Sequence, residues 1–167
     1  TRYPEGYNVP SDSETDEIVE NGTAGKLSWS LTSAGVLTIS GNGVIPDYSS
    51  DNTPPWNEKD FNTIVIEEGV TGIGNYAFYQ SSALSVYIPD GVKAIGESAF
   101  RESSLLAVTI PGTVTTIGNS AFHSCTNLTS ATVSEGVAEI GDFAFQGCKA
   151  LAYIDFPASI ISVGSGA

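Results

Sequence analysis

Cys125, Cys148 and the single histidine, His123, are the residues of this 167-residue chain best suited to nucleophilic, redox or metal chemistry. A Cys/His nucleophile pair needs a third group that orients the imidazole, and none accompanies His123 and Cys125. Two thiols and one imidazole with no further cluster around them fall short of a zinc or copper ligand set. The carboxylates Glu5, Asp12, Glu14, Asp16, Glu17 and Glu20 crowd the first residues, but they lack the D-x-[DN]-x-[DN]-G spacing of a calcium loop. Glu67 and Glu68 are paired in sequence, in a stretch that reads as a solvated connection and not as an acid/base couple. No G-x-S-x-G elbow, H-E-x-x-H or phosphate-binding glycine loop is present. The reading is therefore non-catalytic, with no metal and no cofactor.

Charge and hydropathy narrow the partners. Six Lys and Arg against nineteen Asp and Glu leave a formal charge of −13. Phosphate binding needs clustered cations, so nucleic acid is excluded as a partner, and so is adhesion to anionic membrane surfaces. No apolar run approaches the length of a membrane span, so insertion is not expected. An apolar content of 41% with 15% charged residues is that of a globular chain. The composition includes no methionine, which predicts a processed chain or a piece of a longer one.

The elements that must position any functional residue are set by repetition. Ile-Gly-x-x-Ala-Phe recurs at residues 73–78, 95–100, 117–122 and 140–145, in steps of 22, 22 and 23, and a further copy opens at Val163-Gly164. A second phrase runs in step with it: Phe61-x-x-Ile64-x-Ile66, then Ala83, Val86 and Ile88, then Leu105, Val108 and Ile110, and onward to Leu151, Ile154 and Phe156. This is the L-x-x-L-x-L pattern of a leucine-rich repeat, a unit that buries its apolar face only against its neighbours. The spacing predicts a solenoid of about four and a half coils over residues 63–167, ending in mid-repeat. Alternation places Ile64/Ile66 and their equivalents inside a short strand, with Val70 and Ile73 and their equivalents in a second inward segment. The repeated glycine is expected at positive φ. Asn75, Glu97, Asn119, Asp142 and Ser165 are expected as N-caps of one short helical or 3-10 turn that seats Ala-Phe. Ahead of the repeats, residues 26–62 read as a β cap. Leu27, Trp29 and Leu31 form one arm of a hairpin, Leu37 and Ile39 the other, and Trp56 is a core anchor after the Pro46–Pro55 loop. Residues 1–25, with a local charge of −5, read as an acidic flexible leader.

The repeated I-G-x-x-A-F, the F-x-x-C-x-x-L runs at Phe122–Leu128 and Phe145–Leu151, and the preceding hairpin resemble the BspA-like leucine-rich-repeat proteins of bacterial surfaces. The match departs from common leucine-rich repeats at the usual asparagine position, which holds Gly69, Gly91, Thr113, Gly136 and Ser159 here. The resemblance implies a strand-plus-turn solenoid with an N-terminal β cap. It also implies a cell-surface or secreted location and adhesion or protein interaction without catalysis.

Within that architecture, Cys125 and Cys148 occupy equivalent positions in adjacent coils. They are either stacked buried thiols, the plainer reading, or an inter-coil disulfide. The candidate binding surface is the outward face of the strand ladder. One row holds Val65, Tyr87, Thr109, Thr132 and Asp155, and its neighbour includes Ser85, Ser130 and Tyr153. The expected partner of these rows is a protein, such as one of a host or matrix, or a glycan. Thr, Val and Tyr are also simply good strand formers. Three functions follow: an adhesion or protein-interaction module, a glycan-binding or scaffolding accessory of a larger exported protein, or a structural spacer.

Overall fold

In the computed structural model, which describes residues 16–167, β-branched residues alternate over four positions of a repeat and again over two or three, and each run becomes a short strand. The cap supplies β1 (Ile18–Ala24), β2 (Leu27–Thr32), β3 (Val36–Ser40) and β4 (Gly43–Val44). The coils add β5 (Thr63–Ile66), β6 (Val70–Gly72), β7 (Ser85–Tyr87), β8 (Ala94–Ile95), β9 (Ala107–Ile110) and β10 (Thr116–Ile117). The last three are β11 (Ser130–Val133), β12 (Glu139–Ile140) and β13 (Ser162–Val163). Two ladders result. The first runs β1-β2-β3-β5-β7, antiparallel within the cap and parallel from β3 onward. The parallel pair β9–β11 lies beside it, linked where Leu106 N–H donates to the Leu84 carbonyl at 2.9 Å. The second ladder consists of β4–β6 and the parallel set β8-β10-β12-β13, bridged between Ile73 and Ile95.

The cap is itself a coil. β3 pairs in parallel with β5 and β4 with β6, so residues 36–56 repeat the path of the turns that follow. The solenoid therefore has about six turns, more than the four and a half expected from the Ile-Gly phrase. The cap turn escapes that phrase because it carries Ile45-Pro46 and Trp56 where the others carry Ile-Gly and Phe. β1 falls inside the stretch read as a leader. Its backbone is ordered by pairing with β2, although Ile18 and Val19 remain exposed. Residues 1–15 of that leader lie outside the described residues.

The expected helical or 3-10 turn does not form; the described residues contain no helix. The residues two positions after the repeated glycine (Tyr76, Ser98, Ser120 and Phe143) are left-handed, with φ between 53° and 58°, and a left-handed residue stops a right-handed helix from propagating. Every second N–H of the turn points to the next coil instead, and those between bond back three residues, as Ala77 N–H does to the Gly74 carbonyl at 3.3 Å. Phe78 donates to the Ala99 carbonyl at 2.7 Å, and Phe100 to Ala121 at 2.7 Å. The expected positive φ of the repeated glycine is also corrected, because close approach is what requires it. A Cβ on Gly118 would lie 2.7 Å from the Glu97 nitrogen of the preceding coil, and one on Gly141 2.6 Å from that of Asn119. The predicted N-caps work between coils. Asn75 Oδ1 accepts from Glu97 N–H, and Asn119 Oδ1 from Asp142 N–H, both at 2.8 Å, while Asp142 Oδ1 accepts from Ser165 N–H at 2.7 Å. A polar ladder is thus present, displaced from the usual asparagine position.

Between the ladders lies one continuous core. Ile64, Ile66, Val70 and Ile73 are buried, as are their equivalents through Val137 and Ile140 except the half-buried Ala131, whereas Phe156 and Val163 of the last coil, expected inside, are exposed. Its spine is an aromatic column in which Trp56 stacks on Phe78 with ring centres 5.5 Å apart. The rings of Phe78, Phe100, Phe122 and Phe145 then follow at 5.2 Å intervals. Offset-stacked aromatics contribute about 0.5–1.5 kcal/mol per pair beyond area burial, so the column ties each coil to the next.

Candidate functional site

The first ladder fixes the rows of the outward face by register. Thr63 lies opposite Ser85 and Val65 opposite Tyr87; Ala107 lies opposite Ser130 and Thr109 opposite Thr132. The cap extends the row, since Thr38 pairs with Val65. Side chains at alternate positions leave the same face of a strand, so these residues stand side by side across coils. Exposure divides them. Thr109, Ser130, Thr132 and Asp155 are exposed, Tyr153 is 76% exposed, and Ser85 and Tyr87 are half-buried. Val65 is only 3% exposed and contributes almost no surface of its own.

Four of the predicted residues converge. Ser130, Thr132, Tyr153 and Asp155 line a cleft of about 250 Å³ at the outer edge of β11, together with Thr129 and Val133. Residues 151–157 form no strand, and this stand-off is what opens the cleft. The face as a whole offers hydroxyls and two tyrosine rings, with Asp155 as its one charge among the predicted residues. The remaining acidity lies elsewhere, for example at Glu67 and Glu68 beside β5. Short hydroxyl side chains on a rigid sheet supply hydrogen-bonding contacts at little cost in rotamer entropy, and tyrosine supplies contact area, the combination found in interaction surfaces.

The chemistry-bearing residues are structural. Cys125 and Cys148 are free and buried. Each thiol donates to the carbonyl of a phenylalanine in the preceding coil, Cys125 to Phe100 and Cys148 to Phe122, both at 3.1 Å. The hydrogen bond with the Cys125 sulfur, and then burial, push the Cys148 pKa far up, so this thiol stays protonated. The ring nitrogens of His123 contact other partners, with Nδ1 3.0 Å from Ser124 Oγ and Nε2 3.2 Å from Gln146 Oε1. Among the described residues, no three His, Cys, Asp or Glu side chains stand close enough to share a metal ion.

Sequence reasoning missed one feature, a cleft between the first two coils beside Ser81. Its signal was the repeated position three residues after the column aromatic, which holds Lys59, Ser81, Ser103, Cys125 and Cys148 in successive coils.

Residues 56–167 match the model of the BspA-type leucine-rich repeat region, in six copies. No curated protein matches the chain by sequence. Among solved structures, the pneumococcal vaccine antigen PcpA is similar in fold, with a TM-score of 0.57 at 16% identity over 89% of this chain and 47% of that one. A leucine-rich cell surface protein from Faecalibacterium prausnitzii is similar with a TM-score of 0.50 at 25% identity, over 90% of this chain and 52% of that one. The chain spans about half the length of both. Leucine-rich-repeat proteins are generally non-catalytic, and their repeats generally mediate protein interactions. No helix among the described residues is long and apolar enough to cross a membrane. With its six repeats matched over residues 56–167, the chain belongs to the BspA-type leucine-rich-repeat family.

Proposed function

We propose that the chain is a non-catalytic protein-interaction module of a bacterial surface or secreted protein, and that it binds through the outward face of its first strand ladder. The observation that carries this reading is the register of that face. Thr109 on Thr132 and Ala107 on Ser130 form straight rows of small, uncharged side chains, and the exposed Tyr153 stands across a cleft from them. A rigid sheet of this kind meets a partner without losing conformational entropy of its own. The surface location is supported by the kinship with a cell surface protein of similar fold. Extracellular-matrix proteins are the partner class proposed.

The experiment is direct binding of the chain to a panel of purified matrix proteins on a biosensor, in low and high salt. An almost uncharged face gives affinity that changes little with ionic strength, unlike an interface steered by the net −13 charge. Tyr87→Ala and Tyr153→Ala are expected to weaken the captured partner by about 10-fold each, roughly what truncating an interface tyrosine costs. Unchanged affinity in both variants would leave the spacer reading in its place. Tyr153 beside Ser130, Thr132 and Asp155 also favours a glycan as a second reading, which a glycan array with the same variants separates from the first.

A further inference from the structure

The stacking of the solenoid has a fault between its first two coils. From the second coil onward, the outer turns are joined by backbone bonds. Gln80 N–H donates to the Arg101 carbonyl at 2.9 Å, Glu102 to His123 at 2.8 Å and Ser124 to Gln146 at 2.7 Å. Glu58 is the equivalent of Gln80 and shares its left-handed backbone, with φ 61°, yet no such bond joins it to the Tyr79 carbonyl. The indole N–H of Trp56 takes the Ala77 carbonyl at 2.8 Å, an acceptor type that a backbone N–H satisfies in the later coils. The first turn stands off, and a cleft of about 140 Å³ opens behind it. Its lining includes the aromatic rings of Trp56, Phe61 and Phe78 and the polar side chains of Glu58, Asp60 and Ser81.

Ser81 marks the fault. The residue is 8% exposed and its hydroxyl is buried without a hydrogen-bond partner. Its equivalents in later coils are partnered: Ser103 Oγ lies 3.4 Å from Cys125 Sγ, and Cys125 itself bonds the Phe100 carbonyl. A buried hydroxyl without a partner loses its water bonds uncompensated, so such a group invites a ligand or ordered water.

We propose that this cleft binds one six-membered, hydroxyl-rich ring, a pyranose residue of a glycan. Its volume is close to that of a cavity of about 150 Å³ known to admit a six-membered ring. Trp56, Phe61 and Phe78 wall it with apolar atoms, although each is almost fully buried, so the C–H edges of a sugar meet an apolar wall and not an open ring face. Its free polar groups are mostly acceptors, the Glu58 and Asp60 carboxylates and the Tyr79 carbonyl, which hydroxyl donors satisfy. An anionic ligand would meet two carboxylates, and the one cation in the lining, Lys59, is already paired with Glu20. A metal ion would find only two carboxylates. This site lies outside the strand face and does not depend on the reading of that face.

The test is saturation-transfer NMR and titration of the whole chain with free glucose, galactose, mannose and N-acetylglucosamine. A single ring binds in about the millimolar range, so titration to about ten millimolar covers it. At least one sugar should give a saturable signal. Asp60→Asn, an exposed change, should weaken it severalfold, and Ser81→Val, which removes the hydroxyl and puts two methyl groups into the cleft, should abolish it while thermal unfolding shows a folded chain. Should Ser81→Val fail to fold, Ser81→Ala serves in its place, with a loss of about 10-fold expected. Absence of saturable binding by all four sugars would overturn the proposal. So would binding that survives both the Asp60 and the Ser81 changes undiminished.

Discussion

Gly118 is held to glycine by the coil before it. An alanine methyl there would press within 2.7 Å of the Glu97 nitrogen and the Gly96 carbonyl carbon, backbone atoms that cannot swing aside. Gly118→Ala is therefore expected to destabilise the chain by about 1–3 kcal/mol, the range for overpacking, as read from urea unfolding. An ordinary destabilisation well below that range would show that the coils can part locally. The cysteines give a second prediction at this scale. Both sulfurs are buried and donate to carbonyls, and Cys148 keeps its proton because its bond with Cys125 and its burial raise its pKa. Thiolate is the reactive form, so Ellman's reagent should find almost no thiol in the native chain at neutral pH and two after denaturation. The same bond with Cys148 lowers the Cys125 pKa, so burial is what shields that sulfur, and rapid native labelling would contradict the buried stack.

Among the elements, the aromatic column binds the coils more than any single strand does. Phe122 stacks on Phe100 and on Phe145 with ring centres 5.2 Å apart on both sides. Phe122→Ala should cost about 3–5 kcal/mol, measured by chemical denaturation, because it empties the column at its middle. The inward positions were legible in the sequence because they follow the repeat. Val108, Ile110, Val114 and Ile117 are buried where alternation places them. The turn was not legible, since Asn and Asp after glycine signal an N-cap equally whether they serve their own turn or the next coil's N–H. Only the neighbouring coil decides, through bonds such as Asn119 Oδ1 to Asp142 N–H. The first coil was hidden for a related reason: Trp56 continues the phenylalanine column but breaks its residue type. Val65 stands opposite Tyr87 and Thr109 opposite Thr132 as alternation places them, whereas Tyr153 and Asp155 fall in no strand and the burial of Val65 depends on packing that no single repeat encodes.

At the scale of the molecule, the chain is a stack in which each turn meets only its neighbours, and its stability is a sum of repeat and interface terms. Deletion of residues 96–117, one 22-residue period from glycine to isoleucine, should leave a folded, shorter solenoid with a cooperative melt. Loss of folding would mean that the coils are not interchangeable. The same modularity makes the strand face broad, since each coil adds one residue to each row. Thr109 and Thr132 lie side by side on that face and are exposed, so changing them spares the core. The most direct test is the affinity for a captured matrix protein of the Thr109→Arg/Thr132→Arg double variant, compared with Gln146→Arg on the outer turns. Strand-face recognition predicts a loss of more than about 10-fold for the double variant and unchanged affinity for Gln146→Arg. Full affinity in the double variant, with loss in Gln146→Arg, would place recognition on the turns and contradict it.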